Sequence, residues 1–242
     1  MGNEIYLLSV TAASIGIIHT VIGIDHYVPF IALSKAGKWS KIKTIWITIL
    51  CGIGHVLSSV VIGAVGIVFG VSLFSLEALE SFRGDIAAWL LLGFGLLYMV
   101  YGIWYSIKNK PHKHLHIHSH DGEKEDIHYH SHDHKHSTEH AHVHHQEGKK
   151  ITPWVLFIIF VFGPCEALIP VLMFPAATQS VLGIILVTTV FGIFTILTMV
   201  TMVLIGLWGI ELLPMHRLEK HVHTLAGLTI LLCGAGIIFI GI

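Results

Sequence analysis

Six long apolar runs divide the chain, and short polar stretches separate them. The runs cover about residues 5–34, 45–74, 86–107, 151–175, 181–209 and 224–242. A helix needs roughly 20 apolar residues to cross a bilayer, so the pattern predicts six transmembrane helices. The composition agrees, because 54% of the residues are hydrophobic and 12% are charged, whereas about 25% are charged in a typical soluble domain.

An internal repeat relates the two halves of the chain. A shift of 140 residues aligns Gly23–His26 with Gly163–Glu166. Pro29 and Pro170 follow at nearly equivalent places, and each removes a hydrogen bond from its helix. We therefore predict an all-α membrane protein of two inverted three-helix repeats, in which helices 1 and 4 are broken near Pro29, Pro164 and Pro170. Such repeats place a substrate near the bilayer midplane.

The charges between the runs predict domains and topology. The first repeat would span 1–109, a polar connection 110–149 and the second repeat 150–242. Basic residues flank the first, third and fifth connections, which the positive-inside rule assigns to the cytoplasm. Both termini would then lie outside a cytoplasmic (inner) membrane. The second connection is predicted to face outside as well; its charged residues are Glu77, Glu80, Arg83 and Asp85.

The connection 110–149 contains 14 of the 20 histidines in the chain. It lacks an apolar core and is therefore predicted to be disordered on its own. Neutral imidazole binds Zn, Ni, Co and Cu(II), so we expect this loop to capture transition metals; the other interpretation is a solvated spacer. The histidines are His112, His114, His116, His118, His120, His128, His130, His132, His134, His136, His140, His142, His144 and His145.

Several ionisable residues lie inside the apolar runs. A charge at the bilayer centre costs about 3 kcal/mol on insertion scales, so such residues are usually functional. Imidazole and carboxylate, with a thiolate, suit Ni, Co or Zn and do not suit Mg or Ca. A structural role stays open for His55, as a bond between helices, and for Cys165, as a small apolar side chain. The candidate metal ligands are His19, Asp25, His26 and His55 in the first half and Cys165 and Glu166 in the second.

Other features exclude several classes of protein. The net charge of −1 gives no reason to expect nucleic acid as a partner. The three cysteines form no CxxC motif, which argues against a disulfide framework or a zinc ribbon. The sequence has no GxxxxGK[ST] motif for ATP, so secondary transport is the default. We expect no enzymatic activity and no resident cofactor, and the oligomeric state stays open.

These motifs resemble the six-span nickel and cobalt transporters of the lysine-exporter superfamily, typified by the nickel/cobalt efflux permeases. The shared pieces are the second-span His55, the His-rich loop, Gly163–Glu166, which resembles a GxxPC motif, and His19–His26, which resembles an HxxxxxH motif but has six residues between its histidines. The chain is more distantly similar to the nickel uptake permeases, and also to transmembrane thiol-disulfide carriers. Those carriers use a cysteine in each half, whereas the place equivalent to Cys165 is Asp25 here.

The sequence therefore predicts a transporter of Ni²⁺ or Co²⁺, with Zn²⁺ also compatible, that works by alternating access through a midplane site. The resemblance favours efflux over uptake. Two alternatives are a transmembrane thiol-disulfide electron carrier and a metal-binding membrane accessory protein that moves no ions.

Overall fold

A computed structural model describes residues 2–108, 151–177, 180–212 and 219–241. The described residues form helices and short connections, with no β-strand among them. The His-rich connection predicted between the two halves lies outside the described residues, and so do its 14 histidines.

Eight α-helices make up the described part of the chain. They are α1 (Gly2–Ile22), α2 (Val28–Ala36), α3 (Lys41–Val68), α4 (Leu73–Lys108), α5 (Ile151–Phe162), α6 (Leu168–Ala177), α7 (Val181–Glu211) and α8 (Val222–Ile240). A short 3-10 turn, Ile24–His26, lies between α1 and α2, and a second one, Glu219–His221, precedes α8.

Local sequence signals explain several helix ends. Serine is a favoured N-cap because its hydroxyl accepts a hydrogen bond from a free backbone N–H of the first turn. Ser40 caps α3 in this way, with Lys43 N as donor at 3.2 Å, and Ser180 caps α7, with Gly183 N as donor at 3.1 Å. Helix α8 ends at Gly241, whose φ of 74° is left-handed and suits glycine.

Four described helices, α3, α4, α7 and α8, are long and apolar enough to cross a membrane. Helices α1 and α2 make a fifth span if the bent pair is counted as one, with an angle of 85° between Tyr6–Ile22 and Ile24–Ala36. In the second half, α5 has 12 residues and α6 has 10. The protein is thus an all-helical, multi-pass membrane protein with four or five candidate spans in its described part.

Both predicted helix breaks are present. The first lies at residues 23–27, just before Pro29, which occupies the first turn of α2. There proline loses nothing, because the N–H groups of the first turn have no helical partner. The second lies at residues 163–167, between α5 and α6, and contains Pro164. Pro170 is in the first turn of α6, as Pro29 is in α2.

The predicted second connection is helical over most of its length. Helix α4 already begins at Leu73, so Glu77, Glu80, Arg83 and Asp85 are helical. Glu80 is completely buried. Four charged residues within nine positions separate the second apolar run from the third in the sequence. In the structure, two of the four pair with each other inside the bundle.

The helices pack across the two halves. Helix α4 lies along α8, α1 packs on α7, and α3 contacts both α5 and α7. One apolar core surrounds Phe30, Leu156 and Met199, and a second surrounds Leu168 and Phe191. Large apolar side chains on the outer faces of the helices remain exposed, as expected of surfaces that contact lipid acyl chains.

Candidate metal centre

The break in the first half places two polar residues inside the bundle. Helix α1 ends at Ile22, and Gly23 has non-helical torsions of −72° and 91°. The 3-10 turn that follows contains Asp25 and His26 before α2 begins at Val28. The sharp bend turns His26 inwards, so that it is 3% exposed, whereas the Asp25 side chain is 34% exposed.

Three histidines meet at this break. His19 comes from the last turn of α1, His26 from the 3-10 turn and His55 from the middle of α3. One ring nitrogen from each lies within 4.8 Å of the others. The Nε2 atoms of His26 and His55 are 3.3 Å apart, and both side chains are buried. The structure therefore brings together three of the six predicted ligands.

The spacing of these nitrogens is close to that of a metal site. Two nitrogens bound to one tetrahedral Zn²⁺ at about 2.0–2.1 Å lie about 3.3 Å apart. The His26–His55 separation equals this value. His19 would have to move inwards, because the widest separation within the set is 4.8 Å. Three neutral imidazoles would leave a fourth position for another ligand.

Asp25 contacts the other nitrogen of His26. Its Oδ1 is 3.0 Å from His26 Nδ1, and the Gly23 carbonyl is 3.1 Å from the same atom. Since two acceptors face Nδ1, we assign the proton to that nitrogen. His26 Nε2 then carries a lone pair towards His55. Carboxylates commonly hold metal-binding histidines in this way. Asp25 therefore supports a ligand in this geometry and does not itself face the cluster through Oδ1.

Of the two predicted ligands in the second half, Cys165 lies at the edge of the cluster and Glu166 lines the adjoining cavity. Cys165 is fully buried, with its Sγ 4.0 Å from His19 Nε2. Glu166 is exposed and lines the same cavity as the histidines. The three cysteines of the chain are all described, and all are buried and free of disulfides.

A cavity of about 660 Å³ is lined by the three histidines, Asp25 and Glu166. The first half contributes the three histidines and Asp25, and the second half contributes Phe160 and Glu166. Asp85, near the start of α4, adds a further exposed carboxylate. The cavity thus lies between the halves and is lined by both imidazoles and carboxylates.

Sequence reasoning missed a second buried polar group next to this cavity. Glu80 and Arg83 pair on α4 and contact the break between α5 and α6. The signal was the i, i+3 spacing of a glutamate and an arginine, which places both on one face of a helix. Two of their hydrogen-bond partners, Val161 and Cys165, lie 78 and 85 residues away in the chain, so only the fold brings them together.

The bundle and the cavity define an all-helical membrane protein with a polar centre between its two halves. The family described as cytochrome C biogenesis protein transmembrane region matches residues 27–236, which is most of the chain. The chain belongs to this family. The matched region includes His55 and Cys165, whereas His19, Asp25 and His26 precede it. No curated protein and no solved structure matches the chain.

Family membership bears on the resemblance drawn from the sequence. The match is to the cytochrome c biogenesis type of membrane protein and not to a nickel or cobalt transporter family. The transport of nickel or cobalt therefore stays a prediction, and the thiol-disulfide alternative is partly consistent with the family.

Proposed function

We propose that the protein transports divalent transition-metal ions, Ni²⁺ or Co²⁺ with Zn²⁺ also compatible, through the cavity between its halves. The observation that carries the proposal is the cluster of His19, His26 and His55 at a helix break. Buried histidines in a membrane bundle mark ion or proton pathways. Their imidazole nitrogens are good ligands for these metals.

The arrangement of the helices supports a six-span, inverted-repeat transporter. The segments Gly23–His26 and Gly163–Glu166 both fall in helix breaks. Equivalent helices of the two halves also make equivalent contacts. Helix α1 packs on α7 as α5 packs on α3, and α2 packs on α8 as α6 packs on α4. The six spans would be α1 with α2, α3, α4, α5 with α6, α7 and α8. Rocking one half against the other would expose the cavity alternately.

Proton coupling and direction complete the proposal. Protons compete with metal for imidazole, so a proton gradient offers a route to release. Both termini would lie outside an inner membrane, with the His-rich loop in the cytoplasm, where it would concentrate ions before export. The cytoplasmic position of the loop rests on its flanking lysines.

The test is metal flux into liposomes that contain the purified full-length protein and a metal-sensitive dye. We expect Ni²⁺ or Co²⁺ entry in the wild type, and entry at the level of empty vesicles for His26→Ala and His55→Ala. His221→Ala is the matched control, because His221 bonds Ser106 at the opposite end of α8 from the cavity. Wild-type flux in both cluster variants would overturn the proposal.

The family match supports a second candidate, a transmembrane thiol-disulfide carrier, in which Cys165 after Pro164 would be the reactive residue. That function needs two thiols that can approach each other, whereas Cys51 and Cys233 lie in the other apolar core. The same preparation distinguishes the two candidates. A carrier transfers electrons, loses that activity in Cys165→Ser and moves no metal; a transporter moves metal and transfers no electrons.

A further inference from the structure

A second group of charges is buried in the bundle beside the histidine cluster. Glu80 and Arg83 lie one turn apart on α4 and form a salt bridge, and their side chains are 0% and 11% exposed. We call them the α4 ion pair. Burying a charge in a membrane bundle is costly unless its partners are fixed.

Arg83 contacts the end of α5. Its guanidinium donates to the Val161 carbonyl at 2.9 Å and lies 3.5 Å from the Gly163 carbonyl. Carbonyls at the C-terminus of a helix lack a helical donor, and this end of the helix carries partial negative charge. Arg83 therefore satisfies the backbone on the first side of the break.

Glu80 contacts the other side of the same break. Its Oε2 accepts hydrogen bonds from Cys165 N at 3.1 Å and from the Ser59 hydroxyl at 2.8 Å. Cys165 opens the turn that leads into α6, since its carbonyl accepts from Leu168 N at 2.8 Å. A carboxylate at this end matches the free N–H groups and the positive end of the helix dipole.

The same pair is linked to the histidine cluster. Arg83 donates to the Ser58 hydroxyl at 2.8 Å, and Ser58 in turn donates to the His55 carbonyl at 2.8 Å. The backbone of Gly163 also lies against the cluster, because a Cβ placed there would be 3.4 Å from His55 Nδ1. The segment that the ion pair fixes is therefore one wall of the metal centre.

We propose that Glu80 and Arg83 are positioning residues that hold the break between α5 and α6 against the histidine cluster. Loss of their bonds frees residues 163–165, widens the cavity on this side and weakens metal binding. The part of this inference that concerns metal rests on the proposed function. The part that concerns the break does not, so the two can fail separately.

The test combines thiol labelling with metal binding in the full-length protein. Glu80→Gln removes the charge and keeps the shape, so we expect faster maleimide labelling of Cys165, read by mass spectrometry. Cys51 and Cys233 serve as internal controls because both are buried in the other core. We also expect Co²⁺ affinity to fall about tenfold, as for other residues that support a ligand, with one ion still bound by the cluster. Glu77→Gln, one turn earlier on α4, is the matched control.

The outcomes separate positioning from general stability. Unchanged labelling of Cys165, or an equal rise at all three cysteines, overturns the proposal. Arg83→Lys is the second variant, in case Glu80→Gln does not fold; it keeps the charge but cannot reach two carbonyls as a fork, and it should raise Cys165 labelling by a smaller factor. If the wild type binds no Co²⁺ while Cys165 labelling still responds to Glu80→Gln, the proposed function fails and the positioning role stands.

Discussion

At the scale of single residues, the chemistry of the site depends on which nitrogen of His26 carries a proton. Asp25 and the Gly23 carbonyl both face Nδ1, which leaves Nε2 free to accept a metal. His55 Nε2 lies opposite at 3.3 Å. Without an ion, His55 Nε2 therefore donates to the lone pair on His26 Nε2. With an ion, both would present lone pairs to it, so the metal would replace a hydrogen bond inside the cluster.

The role of Asp25 can be tested by removing its charge. Asp25→Asn keeps a hydrogen-bond acceptor but lowers the basicity of His26, so we expect Co²⁺ affinity to fall by about 10- to 100-fold. The stoichiometry at the cluster should not change, because no ligand is lost. Equilibrium binding, followed by the visible spectrum of Co²⁺, measures both quantities.

Asp85→Asn is the control for Asp25→Asn. Asp85 lines the same cavity, and its substitution changes the net charge by the same amount. We expect little change in Co²⁺ affinity, because Asp85 contributes only to the electrostatic field within the cavity. An equal loss in both variants would show that Asp25 acts through that field and not through the orientation of His26.

The sequence predicts which residues form the site. It does not predict which way their side chains point. Polar residues in apolar runs pointed to His19, Asp25, His26 and His55, because their burial in lipid needs compensation. The sequence does not show which atoms face each other, so it placed Asp25 among the ligands. In the structure, its Oδ1 contacts the far nitrogen of His26.

At the scale of helices, the breaks were predictable because proline and glycine act locally. Pro29 and Pro164 lie at or beside the two breaks. The start of α4 was not predictable in this way. Hydropathy counts Glu80 and Arg83 as polar. The hydrogen bonds that offset the cost of burying them come from α3 and from the break between α5 and α6. A hydropathy average over a short stretch of sequence cannot reveal a hydrogen-bond partner so distant in the chain.

The contact between α4 and α8 depends on glycines. A Cβ at Gly227 would lie 2.2 Å from Met99 N, whereas a Cβ at Gly236 on the same helix would meet nothing within 4 Å. Small residues allow such close helix packing in membranes. We expect Gly227→Ala to destabilise the protein by about 1–3 kcal/mol, because a backbone must move.

Gly236→Ala is the matched control and should cause no loss of stability, since alanine favours a helix by about 1 kcal/mol over glycine. Unfolding in mixed detergent micelles, followed by circular dichroism, compares both variants with the wild type. A stability loss of the same size in Gly236→Ala would contradict the role of close packing at Gly227.

At the scale of the whole molecule, the cavity lies where the two halves meet. The first half supplies the imidazoles, and the second half supplies Cys165 and the exposed Glu166 at the edge. His26 and Glu166, which the 140-residue shift aligns, therefore line the same cavity while differing in chemistry. Under the proposed function, the ion would bind mainly through the first half while the second half moves against it.

The His-rich connection between the halves supplies many more imidazoles than the cluster. We expect deletion of residues 112–145 to lower the number of Ni²⁺ ions bound at equilibrium, because 14 histidines are removed. Flux at saturating Ni²⁺ should remain, since the cluster of His19, His26 and His55 is intact. The Ni²⁺ concentration that gives half-maximal flux should rise, because ions are no longer concentrated near the cavity.

A variant of the same length separates the loss of ligands from the shortening of the connection. Replacing the 14 histidines by serine should reproduce the deletion in both binding and flux, because imidazole is the group that captures metal. Equilibrium dialysis and the liposome assay measure the two properties on one preparation. If the serine variant folds but carries no Ni²⁺ at any concentration, the connection is an obligatory part of the pathway, and the cluster alone does not define the transport site.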